Sequence, residues 1–355
     1  MYDLDFVIVT FKRPKFLLEF LKSFFKISHD YNFRIVILDV GDDEFKEYFK
    51  DIKMYLSTNQ LINYFFPNNK YIFYKQYNCN GDYGLAFDDY IKNISNNSLN
   101  FTLFGDDDLL LDLKEFQYGC EELNGNEDYS LCNITHFDEG TNKSFYLDKI
   151  MDGKDFIHKL ILTFGTLPIQ TIFKTKKTKK YNAISFLRLR DEGLEDFFGC
   201  DIHYILMTAA AGKIRNVITK PVAKIGAQGN ETRMTVKYPL TQWICYYIYS
   251  KYTLNKLVKM KIINKKIKRQ FLLHWMSSFF MCYSYYLHSE YSTRVADYNK
   301  VKSYLKKNII LYVIKEIIFN KFLINTKILK QIIHEISIMV LLSTKKFNDY
   351  LKKIF

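Results

Sequence analysis

The sequence predicts an α/β fold, in which a mixed, mostly parallel sheet is flanked by helices and followed by an α-helical C-terminal region. Two observations predict it. Residues 1–236 alternate short β-branched and aromatic runs with stretches of helical periodicity, as repeated β-α-β units do. Residues 237–355 keep helical periodicity and contain neither Gly nor Pro after Pro239. We therefore expect an α/β domain at 1–236 and a basic helical region at 237–355.

The strands of the α/β domain are marked by apolar runs at 5–10, 33–38, 71–74 and 101–104. Helical periodicity marks residues 15–27, residues 44–62 and the stretch that Gly81 introduces. Because right-handed crossovers make such strands parallel, their carboxyl ends should meet at one edge of the sheet. Open α/β sheets bind their ligands at that edge.

Four later segments complete the predicted domain. They are an exposed basic turn at 174–180 (KTKKTKK), a helix at 194–211, a strand at 213–219 and a glycine-rich loop at 224–233. The basic turn is not accompanied by an aromatic-interleaved platform or by a known nucleic-acid-binding module. We therefore expect no nucleic-acid partner.

The formal net charge of +13 is unevenly distributed. Residues 237–355 carry 22 Lys and Arg against 5 Asp and Glu, whereas residues 1–236 carry 29 against 33. A basic, apolar tail suits an anionic membrane surface. A helical bundle with a basic solvent face and a homo-oligomer interface are alternatives that the sequence leaves open.

Several features predict a cytoplasmic protein. The six cysteines include no C-x-x-C pair, which argues against a zinc site or a disulfide framework. The acidic start, Met1 to Asp5, lacks the basic and apolar segments of a secretion signal. Residues 270–289 carry no formal charge but are too polar for a membrane span. If the basic tail binds lipid, the protein would be peripheral on the inner face of the cell membrane.

The domain is organised around residues 100–108 (NFTLFGDDD). A buried strand ends at Gly105, which should let the backbone turn sharply and place Asp106, Asp107 and Asp108 at the strand's carboxyl end. Three adjacent like charges repel one another, so a hard divalent cation among them would explain the arrangement. An ordinary polar turn is the alternative.

A further carboxylate, Asp39, ends the second strand. There it would accept hydrogen bonds from a base or a ribose, or it would cap the helix that follows. The sequence has no G-x-G-x-x-G after the first strand and no G-x-x-x-x-G-K-[ST]. A dinucleotide-binding or P-loop fold is therefore disfavoured.

Four segments in order resemble the family 2 inverting glycosyltransferases of the GT-A fold, of the surface-polysaccharide type. They are residues 7–14 (VIVTFKRP) with the helix that follows, the strand that ends at Asp39, residues 81–88, and residues 104–108 (FGDDD). The resemblance covers residues 4–225 and implies a Rossmann-like GT-A domain. It also implies that this domain binds a nucleotide-diphosphate sugar, with UDP as the expected nucleotide.

The resemblance further implies roles for particular residues. The implied donor-binding residues are Thr10, Phe11, Arg13, Asp39, Gly81, Asp88, Asp106, Asp107 and Arg233. Asp108 would ligate the Mn²⁺ or Mg²⁺ that bridges the two phosphates, with Asp106 as the second ligand. A cation held there would neutralise the charge that develops on the β-phosphate as the sugar leaves.

The chain departs from the family's pattern in two places. Phe87-Asp88 stands where the family often has Arg-Asn, so an arginine contact is missing, and Asp82 and Asp88 would contact the donor or cap the helix. The glycine-rich loop lacks the family's metal-binding His. Gln228 or a water would complete the coordination in its place, and Arg233 would clamp a phosphate.

Glu195-Asp196 resembles the Glu-Asp pair that supplies the general base of the same family. Inverting transfer needs one carboxylate that takes the proton of the acceptor hydroxyl as its oxygen attacks the anomeric carbon. Asp196 is the predicted base and Glu195 its support, with Asp191 and Glu192 as the fallback pair. Without the resemblance, these acids would be ordinary first-turn partners of a helix.

The sequence thus predicts a metal-dependent inverting glycosyltransferase of the hexosyltransferase type, acting on a surface glycan or a lipid-linked acceptor. A sugar nucleotidyltransferase is the first alternative, although the Gly- and Lys-rich triphosphate loop that such enzymes usually carry is absent after Thr10. A non-catalytic, membrane-associated scaffold with a transferase-like domain is the second.

Overall fold

The computed structural model describes ten segments of the chain and five single positions near residue 295. The segments are 1–27, 31–42, 44–67, 69–79, 81–135, 149–163, 171–181, 200–218, 220–224 and 239–268, and the positions are 292, 295–297 and 299. The chain divides into two compact units. One comprises Met1–Thr232 with Ile248–Phe271, and the other Arg233–Tyr247 with Leu272–Phe355.

The described residues include twelve strands, a 3₁₀ helix (Ile94–Asn97) and eight α-helices whose two ends are both described. The strands are β1 (Tyr2–Thr10), β2 (Phe33–Asp39), β3 (Glu47–Phe49), β4 (Met54–Leu56), β5 (Ile72–Gln76), β6 (Ser98–Gly105), β7 (Leu109–Leu110), β8 (Tyr129–Thr135), β9 (Ile150–Asp152), β10 (Thr171–Lys174), β11 (Lys213–Ile218) and β12 (Ala223–Lys224). The helices are α1 (Pro14–Lys26), α2 (Thr58–Phe65), α3 (Tyr83–Lys92), α4 (Lys114–Gly125), α5 (Gly153–Thr163), α6 (Thr175–Tyr181), α7 (Cys200–Ala209) and α8 (Pro239–Lys259).

Eight of these strands form one mixed sheet in the order β5-β2-β1-β6-β10-β8-β11-β9. The four strands β5, β2, β1 and β6 run parallel, and β11 runs parallel to β8. Strand β10 is antiparallel to both of its neighbours, and β9 is antiparallel to β11 at one edge of the sheet. The predicted fold class, a mostly parallel sheet flanked by helices, is confirmed.

The core of the sheet half that carries β1 is built on aromatic residues. The ring of Phe6 lies between 5.2 and 5.7 Å from four other rings, those of Phe24, Phe33, Phe104 and Phe116. These rings come from β1, β2, β6, α1 and α4, so a single cluster holds both helices against the sheet. Helix α1 is amphipathic, which is why one face of it is buried here.

The helix predicted at 44–62 is wrong in its first half. Residues 47–56 form an antiparallel hairpin, β3 and β4, in which Tyr48 lies opposite Tyr55 and Lys53 takes a φ of 49° in the connecting turn. The helix begins only after Ser57. Its hydroxyl accepts a hydrogen bond from the Gln60 amide, and the Gln60 side chain accepts one from the Ser57 amide. This capping box was present in the sequence as Ser57-x-x-Gln60.

The prediction of an exposed basic turn at 174–180 is also wrong. Lys174 is the last residue of β10 and is buried, and the residues after it form α6. Its ammonium donates to the carbonyl oxygens of Leu123 (2.7 Å) and Asn126 (3.1 Å) at the end of α4. Burial lowers the pKa of Lys174. The lysine thus satisfies carbonyls that the end of a helix leaves unpaired.

Helix α8 begins at Pro239, a residue suited to the first helical position because it lacks an amide hydrogen. Within the second unit, the Asp297 carboxylate accepts hydrogen bonds from the amides of Leu240 and Thr241, both at 2.9 Å. Among the helices that the structure describes, none is both long enough and apolar enough to cross a bilayer.

Candidate functional site

The candidate site lies at the edge of the sheet where β1, β2 and β6 end. Strand pairing places Thr10 beside Asp39, and Val9 beside Gly105. The segments that follow these strands are tied together by two backbone hydrogen bonds. The Val40 amide donates to the Thr10 carbonyl (3.0 Å), and the Gly81 amide donates to the Val40 carbonyl (2.7 Å). The predicted meeting of carboxyl ends at this edge therefore brings together residues far apart in sequence.

The acidic turn, Asp106 to Asp108, directly follows β6. Its three side chains are almost entirely buried. The turn is closed by Asp108, whose Oδ2 accepts a hydrogen bond from the Gly105 amide at 2.8 Å. Three neighbouring carboxylates are thus held out of bulk water, an arrangement that requires positive charge or hydrogen-bond donors nearby.

Arg13, which immediately precedes α1, supplies such a charge. Its Nη1 lies 2.9 Å from Oδ1 of Asp106, and its Nη2 lies 3.3 Å from Oδ2 of Asp107. The guanidinium also lies over the Phe16 ring, 4.5 Å from the ring centroid. The sequence had suggested a divalent cation among these carboxylates, and the structure shows an arginine from the β1–α1 loop in contact with two of them.

Both oxygens of Asp106 are engaged by protein groups. Oδ2 accepts a hydrogen bond from the Thr10 hydroxyl at 2.8 Å, and Oδ1 contacts Arg13. Burial, the largest influence, acts with the charges of Asp107 and Asp108 to raise the pKa of Asp106 to about 7. Arg13 and the Thr10 hydrogen bond act in the opposite direction. Asp106 is therefore a carboxyl whose ionised form depends on its cationic neighbour.

The chain turns at Gly105 as the sequence suggested, with the Asp108 amide donating to the Gly105 carbonyl at 3.3 Å, and glycine is needed there for space. Its φ does not fall in the left-handed region. A Cβ at this position would lie 2.6 Å from Oδ1 of Asp107 and 3.2 Å from Oδ2 of Asp108. These two oxygens therefore both lie close to the space that a Cβ of residue 105 would fill.

A metal ion must be judged against this geometry. The part of the chain that the structure describes contains no group of three or more Asp, Glu, His or Cys residues that would hold a metal by themselves. Mg²⁺ and similar hard cations are commonly held by one or two carboxylates together with substrate phosphates. Oδ1 of Asp107 and Oδ2 of Asp108 both lie close to Gly105 and fit that smaller requirement, and Oδ2 of Asp108 also accepts a hydrogen bond from the Gly105 amide. Both oxygens of Asp106 are engaged by Thr10 and Arg13.

A small cleft lies at the same edge of the sheet, on the β2 and β5 side. Its lining residues are Lys12, Asp39, Gly41, Asp42, Phe45, Ser57, Thr58, Tyr74 and Gln76. The Asp39 carboxylate is fixed in it by two hydrogen bonds, from the Gly41 amide and from the Tyr74 hydroxyl, both at 2.9 Å. Asp39 does not cap a helix, which removes the alternative that the sequence left open.

Tyr74 and Gln76 were missed as site residues by the sequence analysis. The signal for them was their place at the carboxyl end of the third predicted strand, the edge at which ligands bind. Phe45 and Ser57 were missed because the sequence placed them inside a long helix.

Three further predicted residues, Gly81, Asp82 and Asp88, lie at or within helix α3. Gly81 takes a φ of 87°, a left-handed conformation that suits glycine. Asp82 caps α3 by accepting a hydrogen bond from the Leu85 amide at 2.9 Å. Asp88 lies within α3 and contacts Lys92 at 2.6 Å, so it does not cap that helix.

Phe11, the other residue of the β1–α1 loop in the predicted set, is partly buried and has the Lys12 ammonium 5.2 Å from its ring centroid. The predicted base and phosphate clamp lie outside the described residues, together with their alternatives. These are Glu195, Asp196, Arg233, Asp191, Glu192 and Gln228.

No protein-family model and no curated protein sequence matches this chain. Solved structures do. TarS of S. aureus matches with a TM-score of 0.52 at 14% identity, over 86% of this chain and 49% of TarS. The chain therefore spans about half the length of that protein. A structure of TarS residues 1–349 in complex with UDP matches with a TM-score of 0.51 at 13% identity, over 87% of this chain and 82% of the fragment.

A mannosyltransferase from Pyrobaculum calidifontis, in complex with GDP-Man and Mn²⁺, matches with a TM-score of 0.50 at 9% identity. The match covers 86% of this chain and 81% of that protein. At sequence identities this low, the matches establish a shared fold only. The chain has the Rossmann-like, glycosyltransferase-type fold of these structures.

Proposed function

We propose that this protein is a metal-dependent inverting glycosyltransferase. It would transfer a sugar, of the hexosyl type, from a UDP-linked or other nucleotide-diphosphate donor to a hydroxyl of a surface glycan or a lipid-linked acceptor. The observation that carries the proposal is the acidic turn at the end of the central strand β6, at the same edge of the sheet as the cleft around Asp39. The shared fold supports the proposal, because the site lies at the sheet edge where α/β proteins bind nucleotides.

In the proposed reaction the acceptor oxygen attacks the anomeric carbon as the bond from that carbon to the β-phosphate oxygen breaks. The proton of the acceptor hydroxyl passes to Asp196, supported by Glu195, and the nucleoside diphosphate leaves with the bonding electrons. These two roles come from the resemblance of the Glu-Asp pair. Because attack and departure occur on opposite faces, the configuration at the anomeric carbon inverts.

Asp107 and Asp108 would hold the Mn²⁺ or Mg²⁺, since one oxygen of each lies close to Gly105. When bound, such a cation neutralises the charge that develops on the leaving diphosphate. This assignment replaces Asp106 with Asp107 in the ligand pair that the sequence implied. Asp106 would instead keep Arg13 and Thr10 in place at the donor's phosphate and ribose end.

The cleft at Asp39 would receive the nucleoside. Its carboxylate is fixed by Gly41 and Tyr74, and Gln76 adds an amide that can both donate and accept hydrogen bonds. Two of the matching structures contain nucleotides, namely the TarS fragment with UDP and the mannosyltransferase with GDP-Man and Mn²⁺. They support a nucleotide donor here without deciding between the two bases.

The basic C-terminal region would serve the acceptor side of the reaction. Its net charge favours an anionic membrane leaflet, which would bring a cytoplasmic enzyme to a lipid-linked acceptor. Its helices would equally suit an oligomer interface. Flotation of the full chain with vesicles, with and without anionic lipid, distinguishes the two, because only the membrane role requires anionic lipid for flotation.

The function is tested by incubating the protein with Mn²⁺ and a panel of nucleotide sugars and then measuring the released products. We expect one donor to give free nucleoside diphosphate. Release of pyrophosphate would instead indicate a nucleotidyltransferase, and the absence of metal-dependent nucleotide binding would indicate a scaffold. Asp108→Asn should abolish metal-dependent binding. Asp112→Asn is the matched control, because Asp112 only accepts a hydrogen bond from the Lys114 amide outside the acidic turn.

A further inference from the structure

The two arms of the Arg13 guanidinium are held unequally. Nη1 makes a close ion pair with Asp106 at 2.9 Å, whereas Nη2 lies 3.3 Å from Asp107. Within the described part of the chain, Nη2 and Nε are buried and make no hydrogen bond. Arg13 therefore contacts Asp107 through charge alone, while its contact with Asp106 is short and well directed.

Burying a donor without a hydrogen bond is unfavourable, so an acceptor oxygen brought near these two nitrogens is favoured. Arginine presents its donors in a planar fork that suits phosphate oxygens in particular. Nε and Nη2 lie on the same edge of that fork, so together they offer two donors to one phosphate group. The proposed donor substrate carries two phosphates, and its cation would be held within the same turn.

Asp107 is the carboxylate that Arg13 and the proposed cation would share. Its Oδ2 faces Arg13, and its Oδ1, like Oδ2 of Asp108, lies close to Gly105. A positive charge on one oxygen of a carboxylate weakens the attraction of the other oxygen for a second cation. Arg13 in its observed position should therefore reduce the affinity of the turn for a divalent ion.

We propose that Arg13 exchanges partners when the donor binds. In the arrangement described above it neutralises Asp106 and Asp107. In the donor complex it would keep Asp106 and turn Nε and Nη2 to a phosphate oxygen, which leaves the charge of Asp107 to the cation. This inference rests on the proposed function. It makes Arg13 a positioning residue through which cation and diphosphate binding become coupled.

A purely structural brace at the start of α1 would make the same contacts, so the test must separate the two roles. The separating quantity is the affinity for Mn²⁺ without any nucleotide. Loss of a brace should weaken every ligand's binding, whereas loss of a competing charge should strengthen Mn²⁺ binding. This measurement needs no sugar donor, so its failure is distinguishable from failure of the transferase proposal.

The experiment is a Mn²⁺ titration of the full chain at pH 8, followed by the signal of free Mn²⁺ in electron paramagnetic resonance. We expect Arg13→Gln to raise the Mn²⁺ affinity by about tenfold or more, since a unit charge is removed from contact with a ligand carboxylate. Lys15→Gln is the matched control. It removes the same charge two residues away, where Lys15 contacts Glu47 and not the acidic turn. Its Mn²⁺ affinity should equal that of wild type.

The same titration is then repeated with saturating UDP. UDP should raise the Mn²⁺ affinity of wild type more than that of Arg13→Gln, because the variant has no competing arginine for the diphosphate to displace. By linkage, the factor by which Mn²⁺ raises UDP affinity equals, in each protein, the factor by which UDP raises Mn²⁺ affinity. Mn²⁺ should therefore raise UDP affinity less in Arg13→Gln than in wild type.

The proposal is overturned if Arg13→Gln, without nucleotide, binds Mn²⁺ no more tightly than wild type does. It is also overturned if Lys15→Gln gains as much Mn²⁺ affinity as Arg13→Gln. Absence of measurable Mn²⁺ binding in all three proteins overturns it as well. If Arg13→Gln does not fold by circular dichroism, Arg13→Lys decides. Its single ammonium cannot bridge both carboxylates as a fork does. It should therefore show a smaller gain over wild type, and no gain overturns the exchange.

Discussion

Asp5 and Arg34 face each other across β1 and β2 and form a two-pronged ion pair in the interior of the first unit. Arg34 donates from Nε to Oδ1 of Asp5 at 2.9 Å and from Nη2 to Oδ2 at 2.7 Å. The Tyr90 hydroxyl donates to the same Oδ2 at 2.9 Å. Burial nevertheless raises the pKa of Asp5 above its ordinary value, so its partners do not fully offset the loss of water.

We predict that Arg34→Met lowers the free energy of unfolding by about 3–5 kcal/mol, because it leaves a buried carboxylate without its counter-charge. The triple variant Asp5→Leu, Arg34→Met, Tyr90→Phe should recover most of that loss, since it removes the buried carboxylate and the hydroxyl that pairs with it. Urea unfolding followed by fluorescence measures both. A triple variant no more stable than Arg34→Met would contradict this account.

His203 gives the first unit a pH-dependent stability. The side chain is fully buried in α7, and its Nδ1 lies 2.7 Å from the Thr253 hydroxyl. Burial, together with the charge of Lys256, lowers the pKa of His203 to about 3. In the unfolded chain histidine binds a proton below about pH 6.5. Between these two values the unfolded state binds more protons, so stability falls as the pH falls.

We predict that the His203 contribution costs about 2 kcal/mol of stability between pH 8 and pH 5. His203→Gln should remove that part of the slope, because glutamine can hydrogen-bond Thr253 but does not ionise. Unfolding by urea at pH 8, 6.5 and 5 measures the slope, with His158→Gln as the control for loss of a histidine in α5. Equal slopes in wild type and His203→Gln would show that the histidine is not the cause.

The sequence predicted the parallel half of the sheet well, because its two central strands, β1 and β2, contain apolar runs that are buried. It failed where local pattern and tertiary context disagree. The apolar residues within 47–56 recur three and four positions apart, which fits one face of a helix. These residues nevertheless form a hairpin, and its inward residues, Phe49 and Leu56, pack with Leu18 and Leu61. The burial of Lys174 was missed because lysine is rarely buried unless its ammonium has acceptors, and the sequence does not show that two carbonyl oxygens lie within its reach.

The sequence predicted which residues lie at the candidate site but not which of them contact one another. Sequence order placed Thr10, Arg13, Asp39 and the acidic turn at one edge of the sheet, and the strand register brings them there. That Arg13 would contact the acidic turn could not be read from the sequence, since it depends on the path of a three-residue loop. The sequence suggested one role for Gly105, a sharp turn, and the structure adds a second, room for two carboxylates.

Gly105→Ala is predicted to fold but to weaken metal-dependent nucleotide binding. The added methyl would meet only side-chain oxygens, 2.6 Å and 3.2 Å away, and these would have to move apart. The cost to stability should stay near 1 kcal/mol, because no backbone atom is in the way. Calorimetric titration with UDP and Mn²⁺, alongside thermal unfolding, measures the two effects separately.

Gly125→Ala is the matched control, because a Cβ there would meet nothing within 4 Å. It should leave nucleotide binding unchanged. Full UDP and Mn²⁺ affinity in Gly105→Ala would show that the oxygens of Asp107 and Asp108 close to Gly105 do not hold the cation.

The last prediction concerns the nucleoside cleft. Tyr74 holds Asp39 through a 2.9 Å hydrogen bond from its hydroxyl, and Gly41 holds the other carboxylate oxygen. Tyr74→Phe removes one of the two anchors, so Asp39 should present its oxygens to a nucleobase or ribose with less precision. We expect UDP affinity to fall by about 2- to 10-fold, the equivalent of one hydrogen bond. Tyr71→Phe, at the residue just before the same strand, should bind UDP as wild type does. Equal affinity in the two variants would remove Asp39 and its cleft from nucleotide binding.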